Sequence, residues 1–508
     1  MSVVPDMPFA RHLSELMAGM ASVPAGDDRL ITGLSSDSRA VVAGDLFFAR
    51  QGLHVDASVH VADAVAAGAV AVVMEASANA PPLPRHVPII HAPGLPQCMG
   101  RVAHRFFGEP SRTLQVIGVT GTNGKTSVSH HLGQALNGWQ SPAQEKGLGC
   151  GLIGTLGYGL FGDLKPARHT TPDAITTHHL LADMNARRAR FAVMEVSSHA
   201  LDQERTAGVA FDVAVFTNLT RDHLDYHRDM AAYGAAKRRL FESPGLNFAV
   251  LNLDDPFAAY LLEQLPAGVQ AVPYGTHPSD PQVEVYGALM SADRQGIHLM
   301  VESPWGKAEV RTPIFGGFNA ANLLAVLSTL IISGMPFETA VASMGELKAP
   351  PGRMECFGGV DCQPLIVVDY AHSPSALSSV LETLRAQCAG ALWCVFGCGG
   401  ERDKGKRSLM GAAAAHGADV VLLTDDNPRD EDGQTIIDDI LSGIPPRGAV
   451  IVERDREAAI GYAIETAGPN DVILVAGKGH EQFQEIQRMR RPFSDARAVR
   501  KGLRERSP

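Results

Sequence analysis

The feature that most constrains this chain is a beat of short apolar runs, each closed by polar residues and followed by a helix-patterned stretch. "LQVIGVTG", "FAVMEVSS", "VAVFTNLT" and "FAVLNLDD" set the beat between residues 114 and 255. It restarts between residues 365 and 479 with "LIVVDYA", "ALWCVFGCGG", "DVVLLTDD" and "DVILVAGKG". Strands alternating with helices imply an α/β fold built on largely parallel sheets covered on both faces. In such sheets ligands bind beyond the carboxyl ends of the strands, so the polar residues that close each run fall where a site belongs.

Two Pro-Gly breaks interrupt the beat, "GEPSRT" at 108–113 and "LKAPPGRME" at 347–355. A chain of 508 residues is too long for one ordinary core. The breaks divide it into three domains, residues 1–110, 111–348 and 349–508. Lys plus Arg number 44 against 55 Asp plus Glu, a formal charge of −11, which has the wrong sign for gripping a nucleic-acid backbone. The seven cysteines are odd in number and irregular in spacing, with no CxxC pair, so neither a disulfide framework nor a zinc site is indicated. No stretch approaches the roughly 18 apolar residues of a membrane span, and the start lacks a secretory pattern. These readings predict a cytoplasmic protein with no membrane or nucleic-acid partner.

"LQVIGVTGTNGKTSVSHHLGQAL" reads as strand, glycine loop and helix. Gly118, Gly121 and Gly124 would let the backbone curl around phosphate while the helix N-terminus supplies free N–H groups. Lys125 would reach the outer phosphates and Thr126 would ligate Mg²⁺, which makes ATP the expected ligand. Five residues rather than four separate Gly118 from Gly124, so the loop departs from the usual phosphate-loop spacing.

Downstream, "MEVSSHALDQER" sets Glu195 and Ser197 near a strand end, and "TNLTRDHLDYH" does the same for Asp222, His223 and Asp225. Singly, Glu195 reads as a helix N-cap charge and His223 as a core histidine; together, after a phosphate loop, they read as a Mg²⁺ site. Lys237, in "AAYGAAKRRLF", reads from its neighbours as part of a solvated helix face. In "LLTDDNPRDED", Asn-Pro suffices for a turn after a buried strand, so the flanking Asp426 and Arg429 are surplus to it. Charges of both signs there suit a ligand end carrying an ammonium and a carboxylate.

Taken together, "GVTGTNGKT", "HTTPD", "EVSSHALDQER", "TNLTRDHLDYH", "AAKRRLF", "GGFNAANLLA", "PGRME", "VVDYAHSP", "FGCGGERDKGKR", "DDNPR" and "AGKGHE" resemble the Mur ligase family. These are ATP-dependent amide-forming enzymes of peptidoglycan precursor assembly. The resemblance implies a central phosphate-loop ATPase-like sheet, flanked by an N-terminal uridine-binding α/β domain and a C-terminal Rossmann-like, amino-acid-binding domain. It makes the loop spacing the family's own form. The implied reaction adds meso-2,6-diaminopimelate to UDP-N-acetylmuramoyl-L-alanyl-D-glutamate through an acyl phosphate, with the protein acting as a monomer.

Carried over by position, the resemblance implies nucleotide contacts from Gly121, Thr122, Asn123, Gly124, Lys125, Thr126, Ser127, Asn322, Arg353 and Asp369. It implies metal ligands at Thr126, Glu195, His223 and Lys237, the last as a carbamate formed with carbon dioxide, and catalytic roles for Lys125, Lys237, Glu195 and His223. Ser38, Thr170, Thr171, Ser197, Gln203, Arg205, Arg402, Asp426, Asn427, Pro428, Arg429, Gly477 and Glu481 are the implied substrate contacts. In the last pocket Arg429 would take the distal carboxylate of diaminopimelate, and Asp426 with Asn427 its ammonium. The sequence departs from the family in "LHVDAS" after Gly52, in His169 where Asn is common, and in an insertion over residues 138–151.

Three other readings compete. Folylpolyglutamate synthase shares the loop and the acyl-phosphate chemistry but has no uridine module to account for residues 1–108. A regulator that had lost catalysis would tolerate loss of Lys125, Glu195, His223 or Lys237, all of which are present. An ordinary phosphate-loop kinase or GTPase leaves the third domain unexplained.

Overall fold

The computed structural model describes residues 9–50, 57–75, 86–139, 149–277, 282–293, 295–360, 362–446 and 449–506. The segment after Gly52 and residues 140–148 of the expected insertion lie outside the described residues. The chain forms three main sheets, each from its own stretch of sequence.

The first sheet is parallel, with strands Gly33–Ser35, Asp45–Ala49, Ala71–Met74 and Ile89–His91 side by side in chain order. Its helix Leu95–Phe106 packs on helix Ala174–Ala186 of the central unit. At Gly100 the same helix also meets the backbone at Ala207, where a Cβ would stand 2.2 Å from the Ala207 carbonyl oxygen.

The second sheet has eleven strands. Its heart is parallel, in the order Cys150–Gly154, Phe191–Glu195, Gln115–Thr120, Val213–Phe216, Phe248–Asn252, Gln270–Gly275 and Val285–Asp293. The four apolar runs of the first beat are four of these strands. Strands such as Val213–Phe216 are buried on both faces, where each Val, Ile, Leu or Phe contributes about 1.5–3 kcal/mol. Antiparallel strands extend both edges, Gly157–Leu160 with Asp163–Lys165 on one side and Gly296–Ser303 with Gly306–Thr312 on the other. The expectation of a largely parallel sheet covered on both faces is corrected there. Gly306–Thr312 alternates buried and exposed residues, so one of its faces meets water and no continuous apolar run marks it. Helix Asn319–Ile332 is buried along most of its length and packs against helix Lys125–Gly138.

The third sheet runs Glu355–Gly358, Leu365–Asp369, Val472–Ala476, Leu392–Phe396, Val420–Leu423 and Ala449–Val452, parallel except for its first edge strand. Behind it Arg456 and Asp495, both fully buried, form a two-pronged ion pair at 2.7 and 2.9 Å. Arg456 also donates to the Ala476 carbonyl at 2.8 Å, tying helix Arg456–Thr466 to the end of strand Val472–Ala476. Among the described residues no helix is long and apolar enough to cross a membrane.

Candidate functional site

The glycine loop joins strand Gln115–Thr120 to helix Lys125–Gly138. Gly121 and Gly124 take φ of 150° and 87°, and a Cβ would stand 1.9 Å from Thr217 Oγ1 at the first and 2.5 Å from Asn322 Oδ1 at the second. These positions require glycine. Gly118 does not serve the curl. It lies inside the strand, where a Cβ would press on Phe211 and Leu240, so its smallness serves packing. The loop is held from outside: Asn123 N–H donates to Asn218 Oδ1 at 2.9 Å, and Thr217 Oγ1 donates to the Asn123 carbonyl at 2.6 Å. Thr122 Oγ1 bonds the Thr220 carbonyl and lies 3.2 Å from the Tyr233 hydroxyl.

Lys125 folds back over this loop, its Nζ donating to the carbonyls of Gly121 at 2.8 Å and Thr122 at 2.9 Å. Burial lowers its pKa, with Glu195 and Asp222 opposing that fall. Lys237 is not on a solvated face. It is 1% exposed, stacks 4.4 Å above the Tyr233 ring and donates to the same Gly121 carbonyl at 2.8 Å. Burial first and the neighbouring Lys125 second drive its pKa well below the ordinary lysine value.

Glu195 closes its strand and is 1% exposed. It accepts from Thr126 Oγ1 at 2.9 Å and from Thr155 through both N–H, 2.7 Å, and Oγ1, 3.0 Å. It is no helix cap; Ser197 caps the next helix by accepting from Ala200 N–H. Thr171 Oγ1 donates to the Glu195 carbonyl at 2.7 Å, and Thr170 Oγ1 lies 3.1 Å from Thr155 Oγ1. Arg205 donates to the Thr171 carbonyl at 2.9 Å and to Gln203 Oε1 at 2.7 and 3.1 Å. The expected dipeptide contacts thus form one connected wall beside Glu195.

His223 is not a core histidine either, since its side chain is 43% exposed. It caps a short helix at φ 54°, and partial burial, aided by the nearby Lys125, lowers its pKa to about 4 against the pull of Asp222, so it is neutral at pH 7. Asp225 is exposed. The adjacent hydroxyl of Thr126 and carboxylate of Glu195 are hard oxygen donors and fit Mg²⁺, which keeps waters and borrows phosphate oxygens. Among the described residues no group of three or more His, Cys, Asp or Glu forms a metal cage.

A cleft of about 780 Å³ opens between the second and third sheets, and Asn123, Gly124, Ser127, Asn322, Arg353 and Asp369 all line it. Asn322 is held by Asn319 at 2.9 Å. Arg353 stacks 4.5 Å over Tyr370 and reaches across to donate to Thr126 Oγ1 at 3.2 Å. Asp369 accepts from the N–H groups of Met354 and Ala371 at 2.8 and 2.7 Å, which anchors the turn that carries Arg353.

At the end of strand Val420–Leu423, Asp426, Asn427 and Pro428 are buried and Arg429 is partly so, which excludes a solvent-exposed charged turn. Arg429 adopts φ 55° and donates from Nη1 to the Gly400 carbonyl at 2.6 Å, with Glu485 3.6 Å from its Nε. Gly477, at φ 110°, lets Asp426 approach: a Cβ there would stand 2.6 Å from Asp426 Oδ2. Asn427 is not free to take an ammonium. Its Oδ1 accepts from Lys478 Nζ and Glu485 N–H, both at 2.9 Å, and its Nδ2 donates to Glu481 at 2.8 Å. Arg402 is exposed at the rim. In the first sheet, Ser38 opens a one-turn helix just beyond strand Gly33–Ser35 and is half-buried.

Thr155, Tyr370 and Lys478 were missed from sequence. Lys478, bracketed by two glycines in "AGKGHE", carried the one signal that could have found it.

Three family profiles match in order: the Mur ligase family catalytic domain over residues 30–107, the Mur ligase middle domain over 119–330, and the Mur ligase glutamate ligase domain over 352–479. The UDP-N-acetylmuramoyl-L-alanyl-D-glutamate--2,6-diaminopimelate ligase of Alkalilimnicola ehrlichii is 46% identical, covering 97% of this chain and 99% of its own. The protein of that name from Pseudomonas aeruginosa is 46% identical over 94% of this chain and 96% of its own. A solved structure of a ligase of that name superposes with a TM-score of 0.71 at 35% identity, covering 98% of this chain and 99% of that one. Extended over nearly the whole length, this likeness accounts for the N-terminal sheet that a folylpolyglutamate synthase would lack. The chain belongs to the Mur ligase family.

Proposed function

We propose that this protein is the ATP-dependent ligase that adds meso-2,6-diaminopimelate to UDP-N-acetylmuramoyl-L-alanyl-D-glutamate, working as a cytoplasmic monomer. Residues 1–110 hold the uridine end of the nucleotide substrate, 111–348 the ATP on a phosphate-loop ATPase-like sheet, and 349–508 the incoming amino acid on a Rossmann-like sheet. The observation that carries the reading is the cleft lined by Asn123, Gly124 and Ser127 at the phosphate loop, by Asn322, and by Arg353 and Asp369 of the third unit. Arg353 reaches from that cleft to Thr126 Oγ1, which in turn donates to Glu195.

A carboxylate resists attack by an amine until it has a good leaving group. The dipeptide carboxylate therefore attacks the γ-phosphate of ATP, ADP departs, and the amine of diaminopimelate displaces phosphate from the acyl phosphate. Lys125 and Arg353 stabilise the charge that develops on the transferring phosphoryl group. Thr126 and Glu195, with Lys237 as a carbamate and His223 at the edge, would hold Mg²⁺, which supplies charge neutralisation when bound. A lysine buried and short of a proton is the form that reacts with carbon dioxide, which supports the carbamate. The gap between the second and third sheets closes over the acyl phosphate and keeps water from it.

The test is mass spectrometry of the product formed from ATP and the two substrates. A mass equal to the sum of dipeptide substrate and diaminopimelate less one water supports the reading; phosphate release without that product refutes it.

A further inference from the structure

Asn427, Lys478 and Glu481 form a closed hydrogen-bonded triangle whose function the proposed reading leaves open. Lys478 lies between Gly477 and Gly479, both at positive φ, and its side chain is wholly shielded from solvent. Its Nζ donates to Asn427 Oδ1 at 2.9 Å and to Glu481 Oε2 at 2.7 Å. Asn427 Nδ2 donates to the same Glu481 oxygen at 2.8 Å, and the Glu485 N–H donates to Asn427 Oδ1 at 2.9 Å.

This pattern fixes the Asn427 amide. A flip would turn its NH₂ group against two donors and its oxygen against a carboxylate. It also divides the work of the Glu481 carboxylate. Oε2 is occupied by two donors, while Oε1 accepts no hydrogen bond among the described residues. Glu481 is partly exposed beyond the carboxyl end of strand Val472–Ala476, and Asp426, beyond the carboxyl end of strand Val420–Leu423, brings its Oδ2 against Gly477. The buried ammonium of Lys478 holds Glu481 in place without reaching solvent itself, a costly arrangement unless the orientation is used.

Resting on the proposed amino-acid pocket, we infer that Lys478 is a positioning residue for the amino-acid substrate. It locks Asn427 and Glu481 so that Glu481 Oε1 and Asp426, rather than Asn427, receive the distal ammonium. Its action runs through Glu481, and it touches neither ATP nor the nucleotide substrate.

The experiment measures KM for meso-diaminopimelate and for ATP in the wild type, Lys478→Met, Glu481→Gln and the double variant, with Lys478→Gln as a second substitution of the same lysine. Lys478→Met and Lys478→Gln should each raise the KM for diaminopimelate at least tenfold and leave that for ATP within twofold. The double variant should stay within threefold of Glu481→Gln, because one pathway has already been cut. A rise of equal size in both KM values, or additive losses in the double variant, would overturn the inference. A wild type with no diaminopimelate-dependent turnover would refute the proposed function instead. The inference is then decided by the crystal structure of Lys478→Met: displaced Asn427 and Glu481 side chains uphold it, and unchanged ones overturn it.

Discussion

Lys125 and Lys237 donate to one acceptor, the Gly121 carbonyl, each at 2.8 Å. Burial disfavours the charge on both, and Lys237, with the Lys125 ammonium beside it, is driven well below the ordinary lysine value. Its folded-state pKa lies below the unfolded value of about 10.5, so between the two the unfolded chain binds one more proton. Stability therefore rises with pH across that window and levels off above the unfolded pKa, with a slope of up to about 1.4 kcal/mol per pH unit. Denaturation in buffer free of carbon dioxide should show wild-type stability rising relative to Lys237→Met between pH 7 and 9.5. Parallel curves for the two proteins would show that Lys237 keeps its proton.

The proposed carbamate makes a second prediction at the same residue. Lys237→Ala should be nearly inactive, and acetate should restore part of the rate by taking the missing oxygen ligand's place. Bicarbonate should stimulate the wild type alone. A variant with near-normal turnover would remove Lys237 from the chemistry.

Glu195 takes three hydrogen bonds from Thr126 and Thr155 at the buried end of its strand. Glu195→Ala leaves those donors without an acceptor and should cost about 1–3 kcal/mol of stability. Lys125→Ala should lower kcat on the order of a thousandfold by removing several kcal/mol of transition-state stabilisation, at little cost in melting temperature. Similar melting losses in both variants would mean that Lys125 serves the loop's shape rather than its charge.

The parts legible in the sequence were those whose partners lie close along the chain. The glycine loop, the apolar strands and the polar residues closing them are local patterns, and the cleft brings together six of the expected nucleotide residues. The alanine-rich neighbourhood of Lys237 suggests a solvated face because its hydrogen-bond acceptor, the Gly121 carbonyl, lies 116 positions away. Asn427 looked available because its partners, Lys478, Glu481 and Glu485, are all more than fifty positions downstream. Gly118 was credited to the turn because only packing against Phe211 and Leu240 reveals its use. The family resemblance supplied Lys237 where composition pointed the other way.

Arg353 spans the cleft from its perch on Tyr370 to Thr126. Arg353→Ala removes the guanidinium placed in the cleft to hydrogen-bond the nucleotide, a charged bond of about 1.5–3 kcal/mol, so the KM for ATP should rise roughly tenfold to a hundredfold. Small-angle scattering should show wild-type compaction on adding ATP and dipeptide substrate, and less of it in the variant. An unchanged radius of gyration in the wild type would contradict closure about the 347–355 segment.

Amino-acid choice tests the central claim most directly. Arg429 is partly buried, with one Nη on the Gly400 carbonyl and Glu485 beside its Nε, and is the group that would receive a distal carboxylate. Lysine lacks that carboxylate and would leave the guanidinium short of a partner, a penalty of roughly 2–5 kcal/mol, or about thirtyfold to several thousandfold. The measurement is phosphate release from ATP with UDP-N-acetylmuramoyl-L-alanyl-D-glutamate and either meso-diaminopimelate or L-lysine, in wild type and Arg429→Ala. The account predicts turnover of meso-diaminopimelate at least thirtyfold more efficient than of L-lysine, with that preference lost in Arg429→Ala and the KM for ATP unmoved. Equal use of the two amino acids by the wild type, or release that needs neither, would contradict it.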